Sequence, residues 1–468
     1  MKLPFLGQAY QSRSPVLASQ TAINIYPELT EGNSDEIGAF IGTPGLIAKY
    51  AQTGEVRGML VAGGYLFAVI GNTLWKISSN WSSVSMGTLP NSSGRVSMVA
   101  NETQIAIAHQ DGWHWVAIAG SSIAPVSGAP TGSVLTYQDQ YGLYTDTGGT
   151  FGITTLADLS TLDPLDVADA EGAPDNLVSI ISDHREAWLF GETTTEIWAN
   201  TGAALFPFER SAGGFIEQGC AAKFSPAKLD NSVFWLGRNS NGQGVVYRSN
   251  GYTPERISTH AIETAISKYS DISDAIGIAY QDEGHTFYWL IFPTGNASWV
   301  YDVATKGWHQ RAWLDSNGLL NRHRANCYAT FNGMHLIGDW QNGTIYQMSL
   351  DIYTDNNEEI YRERAFDLPE SEEKKARYDQ IQLFGTFGDG ASPTDPTSPQ
   401  VWMQISRDGG RIWGYQRVIN VGAIGQTKYR ARWRRVGTGR NPVIRFATTM
   451  KNRVQWVHAS ASGEEYDQ

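Results

Sequence analysis

A chain of 468 residues with 35 Lys and Arg against 47 Asp and Glu carries a formal charge of −12, and its 49 Gly, 16 Trp and 21 Tyr are the composition of a turn-dense all-β protein. The acidity excludes a free-standing nucleic-acid binder, which needs clustered cations to displace phosphate counterions. Cys220 and Cys327, with no C-x-x-C spacing, exclude a disulfide scaffold and predict two buried free thiols formed in a reducing compartment.

No apolar core of signal-peptide length opens the sequence, and no run of about eighteen apolar residues occurs, so neither secretion by that route nor a membrane span is expected. Residues 1–50 alternate turn formers with short apolar runs, and Pro27 and Pro44 hold their preceding residues extended. The expectation there is an extended N-terminal arm.

From Arg57 a repeat begins, with first strands predicted near Arg57, Val96, Val134, Leu177, Lys223, Ile276 and Asn326. That spacing is the range of four-stranded propeller blades. About seven units are countable, six if one is irregular. Two-residue turns such as Gly63-Gly64 and Asn332-Gly333 join β-branched or aromatic runs. An aromatic third strand recurs as LWKI (74–77), EIWA (196–199), VVYR (245–248), WVYD (299–302) and TIYQ (344–347). The clearest unit is 285–313, where Phe287, Trp289 and Ile291 share one strand face and Tyr288, Leu290 and Phe292 the other. A strand apolar on both faces must be covered on both, as stacked blades are. Two interruptions stand out: Asp163–Asp175, five carboxylates read as a solvated loop, and 258–268, a short helix capped by Ser258 or Thr259. The charged stretch 369–375 marks a boundary. The expected domains are therefore the arm, a β-propeller over 51–368, and a small β-sandwich-like domain over 369–468.

In that last domain Ser406, Asp408, Gly410 and Trp413 fit the S-x-D-x-G-x-x-W turn, the Asp box, whose first reading is structural. A propeller with such a turn raises the alternative of a glycan-binding or sialidase-like protein. Sialidase chemistry needs an arginine cluster and a Tyr nucleophile, and the propeller segments do not display them. No H-E-x-x-H, Walker A loop, G-x-S-x-G or G-x-G-x-x-G is present. No catalytic residue, metal ligand or cofactor is assigned.

The charge is segregated. Residues 425–456 hold nine Lys and Arg and no Asp or Glu, leaving 26 basic against 47 acidic residues elsewhere. Arg430, Arg432 and Arg434 alternate along a predicted strand, putting three guanidinium groups on one face while Tyr429, Ala431 and Trp433 point to the other. With Arg435 and Arg440 they are the candidate docking residues, for a neighbouring subunit or an adaptor. Intramolecular pairing with the acidic propeller and contact with DNA are the alternatives.

Eleven stretches in order carry a resemblance: NIYPE (24–28) with GTPGL (42–46), GRVSM (94–98), AEGAPD (170–175), WLFGETTTEIW (188–198), FPFER (206–210), GCAAK (219–223), STHAIE (258–263), GHTFY (284–288), WVYDVATKGWHQR (299–311) and RARWRRVGTGR (430–440). On these the sequence resembles the packaged-DNA stabilisation proteins of short-tailed bacteriophages, also called tail hub, tail accessory or nozzle proteins. The resemblance implies a structural virion protein, not an enzyme, assembled in the host cytoplasm into the tail as a hexameric ring. Its implied partners are the portal-adaptor protein above, a tail needle and tailspikes or fibres below, and genomic DNA passing through with weak, non-specific contact. Net acidity suits such a conduit, because every phosphate neutralised by a channel wall slows passage.

Overall fold

The structure is a computed structural model describing residues 1–14, 18–32, 34, 36–170, 172–239, 242–368, 375–389, 399–421 and 428–466. Strand His285–Phe292 is buried along nearly its whole length. Phe287, Trp289 and Ile291 pack with Ile337 and Tyr346, while Tyr288, Leu290 and Phe292 pack with Phe234 and Leu236 on the other side. Each such side chain is worth about 1.5–3 kcal/mol of burial, so this strand fixes the stacking of three sheets.

Those sheets are blades of a seven-bladed propeller whose first strands are Val56–Ala62, Ser97–Ala100, Leu135–Gln138, Leu177–Asp183, Ala227–Leu229, Ile276–Asp282 and Ala325–Phe331. Each begins within four residues of its expected position, and the aromatic third strands are third strands. Gly63 and Gly64, like Asn332 and Gly333, both have positive φ, the geometry that lets a two-residue turn follow the twist of its strands.

Neighbouring blades are stitched near the axis. Val96 N–H donates to Arg57 O at 3.2 Å, Leu135 N–H to Ser97 Oγ at 2.9 Å, and Ser182 N–H to Thr136 Oγ1 at 2.9 Å. Ser179 Oγ donates to Lys223 O at 2.7 Å, Gly277 N–H to Phe224 O at 2.8 Å, and Asn326 Nδ2 to Val56 O at 2.9 Å, closing blade seven on blade one.

The first fifty residues are not an arm. Gly45–Gln52 pairs antiparallel with Gly343–Ser349 and is the fourth strand of blade seven. Ile25–Leu29 and Gly38–Gly42 enter one sandwich sheet, in the order Ile25–Leu29, Gly38–Gly42, Gln455–Tyr466, Lys375–Thr386, Tyr429–Gly439. Ser19–Ile23 enters the other, followed by Arg362–Asp367, Val443–Thr448, Gln400–Ser406 and Arg417–Asn420. Leu3 and Phe5 fill the core between the sheets with Ile381, Trp433, Phe446 and Trp456. The sandwich thus starts before the charged boundary, at Arg362, and borrows four segments from the far end of the sequence.

Two local readings change. Asp163–Asp175 is not a loop throughout, because Leu162–Asp169 is the outer strand of blade three. Pro164 and a break in register between Gly152 and Thr154 hide its alternation. The short helix is His260–Ile266, capped by Thr259, whose side chain accepts from Ile262 N–H. Both cysteines are buried and free.

Candidate assembly surface

Tyr429–Gly439 is the edge strand of its sheet, paired among the described residues only with Lys375–Thr386. Arg430, Arg432 and Arg434 are exposed, while Ala431 and Trp433 are buried against the sandwich core. The alternation follows from the two-residue period of a strand with one face in a core. It ends at Arg435, whose φ of 54° places it in the left-handed region where the register against Tyr378 and Gln380 shifts. The bulge throws Arg435 outward beside Arg434, and Arg440 is exposed just beyond the strand.

Seven of the nine cations of this region divide into two groups. Arg445 meets Glu363 at 3.3 Å and Gln404 at 2.6 Å, and Arg453 meets Asp351 at 3.1 Å and Asp389 at 3.6 Å. Arg430, Arg432, Arg434, Arg435 and Arg440 have no carboxylate within ion-pair distance among the described residues. Arg430 lies over the Phe384 ring at 5.8 Å. The first group holds the fold together and the second faces outward.

The Asp box joins Gln400–Ser406 to Arg417–Asn420. Asp408 Oδ1 accepts from Ile412 N–H at 2.9 Å, from Arg411 N–H at 3.1 Å and from Ser406 Oγ at 2.6 Å, and Gly410 takes the positive φ of the turn, 84°. These donors, the Ile412 amide foremost, hold the Asp408 carboxyl below its ordinary range. Trp413 lies under the Arg445 guanidinium at 4.2 Å, and Ser19 Oγ donates to Gly409 O at 2.6 Å. The turn therefore clamps an N-terminal strand. It borders a cleft of about 610 Å³ beside helix His260–Ile266, with Arg13, Lys268 and Arg411 on its walls.

Two buried residues fix the N-terminal segments, Asn24 by tying the sandwich to the end of blade six and Arg364 by holding those segments within the sandwich. Asn24, buried and at φ 52°, bonds through its side chain to both backbone groups of Ala312 and to Tyr361 O. Arg364, fully buried, donates to Phe5 O at 2.8 Å, Thr21 O at 3.0 Å, Gln8 O at 3.2 Å and Gln20 Oε1 at 3.0 Å. With no carboxylate in that set, burial pushes its guanidinium down to about 9.

The propeller axis is crossed by side chains. Arg95 at the entry to blade two donates to Asn326 O at blade seven and stacks over Phe224, ahead of blade five, at 5.2 Å. Lys223 reaches Gly132 O ahead of blade three. Burial lowers both cations. One Arg and one Phe thus span nearly opposite sides of the ring, leaving no room for a duplex whose major groove alone is about 12 Å wide. The spacing of strands does not reveal this plug, although Arg95 and Lys223 lie in GRVSM and GCAAK, two of the stretches that carry the family resemblance. Asn24 likewise opens NIYPE.

Among the described residues no group of three His, Cys, Asp or Glu is placed to hold a metal, and no helix is long and apolar enough to cross a membrane. Asp175 instead accepts from Thr193 N–H at 2.8 Å and Thr194 N–H at 2.9 Å, a structural turn.

A family model described as bacteriophage P22 Gp10, β-propeller, matches residues 1–353, and one described as bacteriophage P22 Gp10, β-sandwich, matches residues 363–464. No curated protein matches the chain. Similar solved structures include the extracellular domain of BT4673 from B. thetaiotaomicron, at 13% identity and a TM-score of 0.46 over 79% of this chain and 47% of that one. The WD40 β-propeller domain of Doa1 is similar at 10% identity and a TM-score of 0.41 over 64% of this chain and 95% of that one. The chain spans less than half the length of the BT4673 domain. With both halves matched in order, the chain belongs to the family of bacteriophage P22 Gp10, the phage stabilisation or tail hub proteins, and is a structural protein rather than an enzyme.

Proposed function

We propose that this chain forms a sixfold ring in the virion tail, assembled in the host cytoplasm below the portal-adaptor protein. There it closes the head, retains the packaged DNA, surrounds the ejection channel and anchors a tail needle, tailspikes or fibres. The crossed propeller axis carries this reading. With Arg95, Phe224 and Lys223 across it, a path through one propeller is closed, which supports a genome path between copies arranged as a ring. The acidic balance of the chain limits phosphate contact along such a path.

The test is to image tails of particles that carry the chain and to follow heads assembled without it. Six copies at one level below the adaptor are expected, with heads lacking the chain filling and then losing their DNA. Any other copy number, or full DNA retention without the chain, overturns the reading.

A further inference from the structure

The sandwich is joined to blade six, where Ile23 pairs in parallel with Gln310. Blade three stands three blades away in a ring of seven, near the opposite end of the molecule. Within its sheet the basic strand is also the far edge. The near edge, Ile25–Leu29, packs on the propeller through Tyr26 against His285 and Phe287.

The outer strand of blade three, Leu162–Asp169, carries Asp163, Asp166 and Asp169 and no cation. Other open blade edges lack this bias. Ser83–Thr88 and Ala124–Pro125 are uncharged, while Phe208–Ile216 and Thr253–Arg256 each hold one acid and one base. No cation comes within ion-pair distance of the three aspartates among the described residues, and burial together with Asp163 pushes the Asp166 carboxyl up. Amid these acids Leu165 is 86% exposed. The basic edge has apolar companions of the same kind, Ile412 at 73% and Tyr415 at 79% exposed. Their segment is held to the strand by Arg417, which reaches the carbonyls of Arg434 and Arg435.

Resting on the ring proposed above, we infer that the basic sandwich edge of one copy docks on the acidic blade-three edge of the next. Two different patches at opposite ends make a head-to-tail contact, the type that closes a ring by rotation. Guanidinium forks of Arg430, Arg432 and Arg434 meet the carboxylates, Leu165 is covered by Ile412 and Tyr415, and two open strand edges are hidden from unwanted pairing. The charges set register and reject like-on-like contact.

The test uses tails assembled from the full-length chain. Asp163→Arg with Asp169→Arg, and separately Arg432→Glu with Arg434→Glu, are each expected to lower the copies per tail about tenfold, and combining all four to restore them within about twofold. Full occupancy by the blade-three variant, or no restoration in the combination, overturns the contact. A second arm places Leu165→Cys and Arg432→Cys in one chain, with Cys220 and Cys327 buried, and treats tails with a short bis-maleimide. A ladder of linked copies is expected only when both cysteines are present. Several copies per tail without a ladder overturn this contact alone, whereas one copy per tail overturns the ring itself.

Discussion

The side chain of Asn24 pairs with the backbone of Ala312 in both directions, Nδ2 donating to the carbonyl oxygen and Oδ1 accepting from the N–H, each at 2.9 Å. An amide thereby imitates one rung of a β-ladder between a strand that belongs to the sandwich and the end of blade six. Nδ2 also donates to Tyr361 O at 2.8 Å. Asn24→Ala removes the partner of the Ala312 N–H and carbonyl and of the Tyr361 carbonyl, and puts alanine, which tolerates positive φ less well than asparagine, at φ 52°. A loss of about 3–5 kcal/mol is expected, read by denaturant unfolding of the full chain, with the single transition splitting as the two units uncouple.

Arg432→Glu with Arg434→Glu removes no ion pair among the described residues and touches no core atom. Its unfolding free energy as an isolated chain is expected within about 0.5 kcal/mol of the parent, while incorporation into tails falls. Equal incorporation at unchanged stability would show that the stripe is only a solvated face.

Asp408→Asn keeps the size of the Asp-box side chain but weakens its bonds to the amides of Arg411 and Ile412. The folded carboxyl sits below its ordinary range, so its contribution is present above the ordinary carboxylate pKa of about 4 and lost as pH falls through the folded value. A lower melting midpoint of the sandwich at pH 7, with the difference from the parent closing in acid, is the expected result.

Arg95→Gln withdraws one cation from the propeller axis and its reach to Asn326. If the genome travels between copies, the rate of DNA release from otherwise intact particles is expected to be unchanged, even where the isolated chain melts earlier. A change in release rate at equal copy number would place the DNA path through the propeller instead.

His309 and His323 are buried, and desolvation, with Arg311 beside both, holds each well below the ordinary imidazole pKa. An unfolded chain takes up these protons below about pH 6.5 while the folded chain refuses them, so the unfolded state binds more protons and stability rises with pH through that window. Thermal melts between pH 5 and 7 are expected to show that slope, flattened in His309→Gln with His323→Gln.

Much of the propeller was legible because each blade repeats a local rule. Glycine or asparagine turns at positive φ, an aromatic third strand and two-faced apolar runs all act within some forty residues. The Arg430 to Arg434 alternation was legible for the same reason, a period of two against a core. What stayed hidden depends on partners distant in sequence. Ser19–Ile23 pairs with Arg362–Asp367, and nothing in a five-residue polar strand announces a partner more than three hundred residues away. Leu162–Asp169 was hidden by Pro164 and its irregular register, which erase the alternation that marks a strand.

The fourth strand of blade seven, Gly45–Gln52, has a consequence for how the chain is made. It leaves the ribosome early, yet its partner Gly343–Ser349 is translated some three hundred residues later, and Leu3 N–H bonds to Ala459 O at 2.9 Å. At bacterial elongation rates of about 5–20 residues per second the leading segment waits on the order of tens of seconds without its native neighbours. Neither the last blade nor the sandwich can finish before the final strands emerge, so a chain cut short in translation offers no completed sandwich to a growing tail.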